Sequence, residues 1–171
     1  MKKIIKNVED INFLSFTILF FKLNKPLVLI MCTSIILPLP FFIKFDVYLL
    51  SFQQFALFGS LLVSFMLHEY FHTLSFKIFN KKGPVCFESN FLRISIIPLF
   101  SLSNFQIMIM AILGPTLCFA IGLVLYVSAT SQLMLFISYI FLLHILFLIP
   151  PFGDGKMIMK ALLSPNLKGG E

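Results

Sequence analysis

Phe55–Phe79, FALFGSLLVSFMLHEYFHTLSFKIF, is the stretch that decides how this chain is read. About 20 apolar residues are enough to cross the hydrocarbon core of a bilayer as a helix, and this run is long enough. Yet it holds His68, Glu69 and His72 within one pentapeptide. Ionisable groups at membrane depth are costly and face the bundle interior or a water-filled cavity, so each marks a candidate site.

Working outward, three more apolar runs flank it. The first, residues 26–43, carries Pro38 and Pro40 and reads as a span ending in a break. The others cover residues 105–127 and 132–150, joined by the uncharged turn Ser128–Gln132. The run containing the pentapeptide extends over residues 52–79. Hydrophobic residues make up 59% of the 171 and charged residues only 12%. A soluble domain is about a quarter charged, so this chain cannot cover a water-facing surface. The expected fold is an all-α polytopic membrane protein of about four transmembrane helices.

Residues 1–25 precede the first span. Lys2, Lys3 and Lys6 resemble the start of a signal peptide, but Glu9, Asp10 and Asn12 follow directly and Phe13–Phe21 is too short to span. An interfacial segment is expected there. Residues 26–171 then form a single membrane domain. Between the second and third spans, Lys81-Lys82-Gly83-Pro84 signals a turn. Val85–Glu88 and Phe91–Ile97, separated by Ser89-Asn90, predict a β-hairpin over residues 84–98. Residues 155–163 predict a C-terminal amphipathic helix.

The net charge of +6 does not point to nucleic acid, because the basic residues sit in short flanks between apolar runs. They read as topology determinants. With the N-terminus in the cytoplasm, every Lys and Arg except Lys44 lies on or near the cytoplasmic side. The positive-inside rule thus favours a multi-pass cell-membrane protein with both termini inside. The excess of Lys over Arg, with many Phe and Ile, hints at an AT-rich bacterial genome. Cys32, Cys86 and Cys118 form no CxxC pair. Cys32 and Cys118 lie in apolar runs and read as small buried thiols.

His68-Glu69-Tyr70-Phe71-His72 is HExxH. On a helix the i, i+4 spacing places both imidazoles on one face, able to grip one Zn²⁺. Glu69 stands beside them as general base toward a metal-activated water. A catalytic zinc needs a third protein ligand and an open position. Asp154 is the candidate. It lies in a stretch rich in proline and glycine, Ile149–Gly155, that frees the backbone to turn. The other reading makes Asp154 an N-cap of the following helix; the coordination count favours the ligand. His144 lies ten residues earlier, roughly 15 Å away if the helix continues. A hydrogen-bonding role near the site suits it better than coordination. Asp10, Asp46 and Glu88 read as solvated flank charges. Gly114-Pro115 reads either as an ordinary helix kink or as a local opening for a peptide.

With these residues in order, the chain resembles the site-2 protease family of intramembrane zinc metalloproteases. HEYFH and its continuation Thr73–Gly83 resemble the zinc helix. Leu113-Gly114-Pro115 resembles the Gly-Pro element of the next core helix. Leu148–Gly155, LIPPFGDG, resembles the proline-rich stretch ending in Asp-Gly. The resemblance covers about residues 55–163 and implies one zinc per chain on His68, His72 and Asp154, with Glu69 as base. It also implies substrate contacts at Gly114, Pro115, Cys118 and Phe147, with the hairpin aligning an extended peptide or membrane-protein substrate. Cys118 and Phe147 stand where the family usually carries Asn, and the spacing before Asp154 is about one residue short. No peptide-binding domain is inserted, which leaves room for a partner protein that supplies substrate. The competing expectation is a catalytically impaired membrane factor of the same fold acting in peptide export, maturation or immunity.

Overall fold

The computed structural model describes residues 2–44, 48–89 and 94–164. Strand β1 (Lys2–Asn7) leads through a short 3-10 turn to helix α1 (Phe13–Leu23), then α2 (Lys25–Ile36) and α3 (Leu39–Lys44). Helix α4 (Tyr48–Phe79) carries the HEYFH pentapeptide. It is followed by β2 (Pro84–Ser89), β3 (Ile94–Pro98), α5 (Asn104–Val127) and α6 (Gln132–Leu142). A 3-10 segment, Leu143–Leu148, then precedes α7 (Gly153–Leu163).

Four stretches are helical, long and apolar enough to cross a membrane: Lys25–Lys44, Leu49–Phe79, Asn104–Val127 and Gln132–Leu163. In their most apolar windows only 6% to 33% of residues are buried inside the protein. Leu29, Leu37, Leu49, Phe55, Val124 and Val127 all present their side chains outward. So large an exposed apolar surface needs a solvent other than water. Pro38 and Pro40 act as expected: α2 stops at Ile36 and the chain restarts as α3. Pro115, by contrast, sits inside α5 without ending it.

The sheet differs from the expected two-stranded hairpin. Its order is β1-β2-β3, all antiparallel, with Lys2 opposite Ser89 and Val85 opposite Pro98. The first residues are thus a strand, and Phe13–Leu23 forms a short apolar helix. Lys3 and Glu88 face each other across β1 and β2 and form an ion pair, so Glu88 is not merely a solvated flank charge. Asp46, the Asn90 half of the expected turn, Phe91–Arg93 and Lys168 lie outside the described residues.

Asn12 and Ser103 open α1 and α5 with reciprocal capping boxes to Ser15 and Gln106. The main core joins α1, the sheet and α4 through Phe16, Phe20, Phe76, Val85 and Phe87. Tyr70, inside the pentapeptide, packs its ring on Phe13 and Phe16 at centroid distances of 5.2 and 5.3 Å. Sheet and α1 therefore brace the helix turn that carries the histidines. Cys118 and Cys86 are buried, but Cys32 is exposed. It lies on α2, a peripheral helix with little of its surface covered.

Candidate metal centre

Three elements far apart in sequence meet at the pentapeptide. Helix α4 supplies His68 and His72, both buried. Helix α5 lies against them with Met110, Gly114 and Cys118, a stripe at i, i+4, i+8 spacing that faces one side. The Met110 carbonyl accepts from His72 Nδ1 at 2.8 Å. Gly114 leaves the space in which the His72 ring lies, since a Cβ there would sit 2.7 Å from Nε2. Cys118 is fully buried and donates to the Ser64 carbonyl at 3.6 Å. Small residues let two helices approach this closely.

The third element is the turn before α7. The helical run from α6 breaks at Leu142 into a 3-10 segment, and Ile149–Phe152 turns the chain. Gly155 packs against the Ile149 carbonyl, where any Cβ would collide. This tight return sets Asp154 in the first turn of α7. Its side chain is not the N-cap, which is Phe152. The carboxylate instead reaches His68 Nε2 at 3.0 Å through Oδ2 and His72 Nε2 at 3.4 Å through Oδ1.

The donor atoms of His68, His72 and Asp154 all lie within 4.8 Å of one another. The two Nε2 atoms are 3.1 Å apart. A carbonyl only accepts, so His72 Nδ1 carries a hydrogen and the neutral ring turns a lone pair on Nε2 toward the carboxylate. A lone pair facing a carboxylate oxygen calls for a cation between them, either a proton or a metal ion. Two imidazoles and a carboxylate form the donor set of many catalytic zinc sites. The residues therefore fit such a group and could hold a metal ion.

A cavity of about 510 Å³ opens beside this cluster. Glu69, Asp154 and Asn24 are its polar members, and its walls include Phe20, Met31, Phe65, Phe147 and Phe152. Of the four expected substrate contacts, Phe147 lines this cavity and stacks at 5.2 Å on His68. Gly114, Pro115 and Cys118 do not line it. All three are buried in α5, and Gly114 and Cys118 face α4 as just described.

Two residues near the centre lie outside the sequence-based donor set, Asn24 with no role expected and His144 expected only as a hydrogen-bonding neighbour. Asn24, at the α1–α2 junction, is buried, and its Oδ1 has no hydrogen-bond partner among the described residues. No motif marks it, because its position depends on how α1 folds back on α4. His144 is also closer than a continuous helix would allow: its ring lies 5.4 Å from that of His68. The break at Leu142 removes the assumption behind the larger separation.

No protein-family profile, curated protein or solved structure matches the chain.

Proposed function

We propose that this protein is a membrane-embedded zinc metallopeptidase that cleaves an apolar, extended peptide segment. The observation that carries this reading is the meeting of His68, His72 and Asp154 beside a cavity that also contains Glu69. The ordered resemblance to site-2 proteases supports it, as do the four membrane-length apolar helices. The basic flanks support a topology with both termini in the cytoplasm.

In this reading His68 Nε2, His72 Nε2 and one Asp154 oxygen would hold the ion. Zinc so held supplies Lewis-acid polarisation of a peptide carbonyl and acidifies water at neutral pH. Glu69 receives the proton of the attacking water on its carboxylate and returns it to the departing amine. Phe65, Phe147 and Phe152 keep bulk water from the apolar side of the cavity and offer contact to aliphatic or aromatic substrate side chains. A helical substrate shields its carbonyls and must unwind first. Asn24 Oδ1 can accept from an amide N–H that the unwound segment exposes. The edge of β3 supplies backbone pairing for a strand-like substrate on the water side.

The second reading is a catalytically impaired factor of the same fold in peptide export, maturation or immunity. The apolar ring of Phe147 at the cavity wall favours it, since an amide there would offer hydrogen bonds to substrate. One comparison separates the two. Membrane peptides from cells carrying wild type and Glu69→Gln differ if the protein is a peptidase, and the variant keeps its zinc. Identical peptide profiles would sink the peptidase reading.

A further inference from the structure

The second face of the His68 ring carries information that the proposed metal centre does not use. His68 Nδ1 and His144 Nε2 are both buried, and neither has a hydrogen-bond partner among the described residues. Only 4% of His68 and 3% of His144 are exposed. The rings are 5.4 Å apart and tilted by 46°, and a ring nitrogen of each lies within 4.8 Å of one of the other. Unpaired buried polar atoms are uncommon, and two on neighbouring rings demand a common explanation.

The tautomers supply it. His144 Nδ1 lies 3.1 Å from the Ile140 carbonyl, which can only accept. In the neutral ring Nδ1 therefore bears the hydrogen and Nε2 bears a lone pair. When His68 gives its Nε2 lone pair to a metal, its hydrogen must sit on Nδ1. A donor on one ring and an acceptor on its neighbour then each lack a partner, and a small closing of the two rings would satisfy both. We infer that His144 accepts a hydrogen bond from His68 Nδ1, fixing the tautomer and orientation in which His68 presents Nε2 to the metal. His144 is thus a positioning residue, and the inference rests on the proposed metal centre.

Cys118 is the only other metal-ligating side chain grouped with these two among the described residues. Its S–H is directed to the Ser64 carbonyl, and sulfur is a weak acceptor. A second metal ion held by His68, Cys118 and His144 conflicts with the first site. A neutral imidazole has one lone pair, and His68 cannot ligate on both nitrogens without losing its remaining proton. Histidine ligands generally donate their second N–H to a carboxylate, a backbone carbonyl or water; here a second imidazole takes that place. Phe65 and Phe147, at 5.5 and 5.4 Å from the His144 ring, hold that acceptor in place.

The test uses the full-length protein in detergent, with zinc and cobalt as the probes. Zinc affinity by chelator competition falls about 10- to 100-fold in His144→Leu, the usual consequence of losing such a partner. His144→Gln, whose Oε1 can accept, recovers most of that loss. Cys118→Ala binds zinc nearly as wild type does. In ¹⁵N-histidine-labelled, zinc-loaded wild type, the His68 ring shows its proton on Nδ1, which needs no variant to fold. Wild-type zinc affinity in His144→Leu overturns the inference, as does equal weakness in the Leu and Gln variants. A thiolate-to-cobalt absorption band that vanishes in Cys118→Ala also overturns it, by making that cluster the metal site. Wild type that binds no zinc at all removes the metal centre itself, a distinct result from a zinc-loaded protein indifferent to His144.

Discussion

Gly114 lies so close to His72 that a methyl group in its place would stand 2.6 Å from the imidazole Cε1. Mid-helix Gly→Ala ordinarily favours a helix by about 1 kcal/mol. Here the opposite is expected. Gly114→Ala displaces the His72 ring or separates α4 from α5, costing about 1–3 kcal/mol as overpacking does. Metal content and thermal unfolding of the purified variant check this; a stabilised, metal-loaded protein contradicts it.

Asp154 is the one candidate ligand of this group that arrives from outside α4. Asp154→Ala leaves His68 and His72 with two of the three donors. Zinc affinity should fall by more than the roughly 10- to 100-fold typical of an outer partner. Elemental analysis after dialysis reads the result. Zinc retained at one ion per chain would show that the carboxylate is not a ligand.

Glu69 lies in the cavity, while the three donor groups of the centre are His68, His72 and Asp154. Glu69→Gln should keep one zinc per chain and lower cleavage by about 10²- to 10⁴-fold, the range of a lost general base. Zinc content and peptide release from the same preparation measure the two effects independently.

Asn24 Oδ1 is buried without a partner among the described residues, and leaving such an atom unmade costs about 1–3 kcal/mol. Asn24→Leu removes that cost and also the acceptor from the cavity. Cleavage should fall while the unfolding temperature does not. A variant that unfolds earlier yet cleaves normally would assign Asn24 a structural role.

Lys3 and Glu88 tie β1 to β2. The hydrogen bond from Lys3 to Glu88 raises the lysine pKa above its ordinary value. A raised pKa stabilises the fold fully below the unfolded value, about 10.4, and that contribution disappears as pH rises through the folded value. β1 should therefore stay docked across neutral pH and loosen in strong alkali as Lys3 loses its proton. Lys3→Met should loosen it at neutral pH. Amide hydrogen exchange of Ile4 and Ile5 reports both.

Much of the fold was legible along the chain. Apolar runs of membrane length, the Pro38–Pro40 break and the turn at Lys81–Pro84 are local signals, and each appears where the residues place it. β1 was not legible: Lys2–Asn7 is short and charged, and becomes a strand only because the near edge of β2 is open to it. The pentapeptide likewise announced a pair of candidate metal donors, because i, i+4 spacing on a helix is geometry set by the backbone alone.

The residues surrounding that pair belong to the tertiary structure. Residue order cannot tell that the chain would leave the helix at Leu142, and this break brings both His144 and Asp154 to His68. Nor does it reveal that Gly114 makes room for an imidazole, or that α1 brings Asn24 to the cavity. The sequence by itself determined the apolar helices of membrane length and the pairing of two candidate donors on one helix face, because hydrophobicity and helical period are properties of neighbouring residues. Only the folded chain decided that Asp154 meets the two histidines, and with it the hydrogen-bonding partners and the cavity, because those depend on packing between segments that the sequence holds far apart.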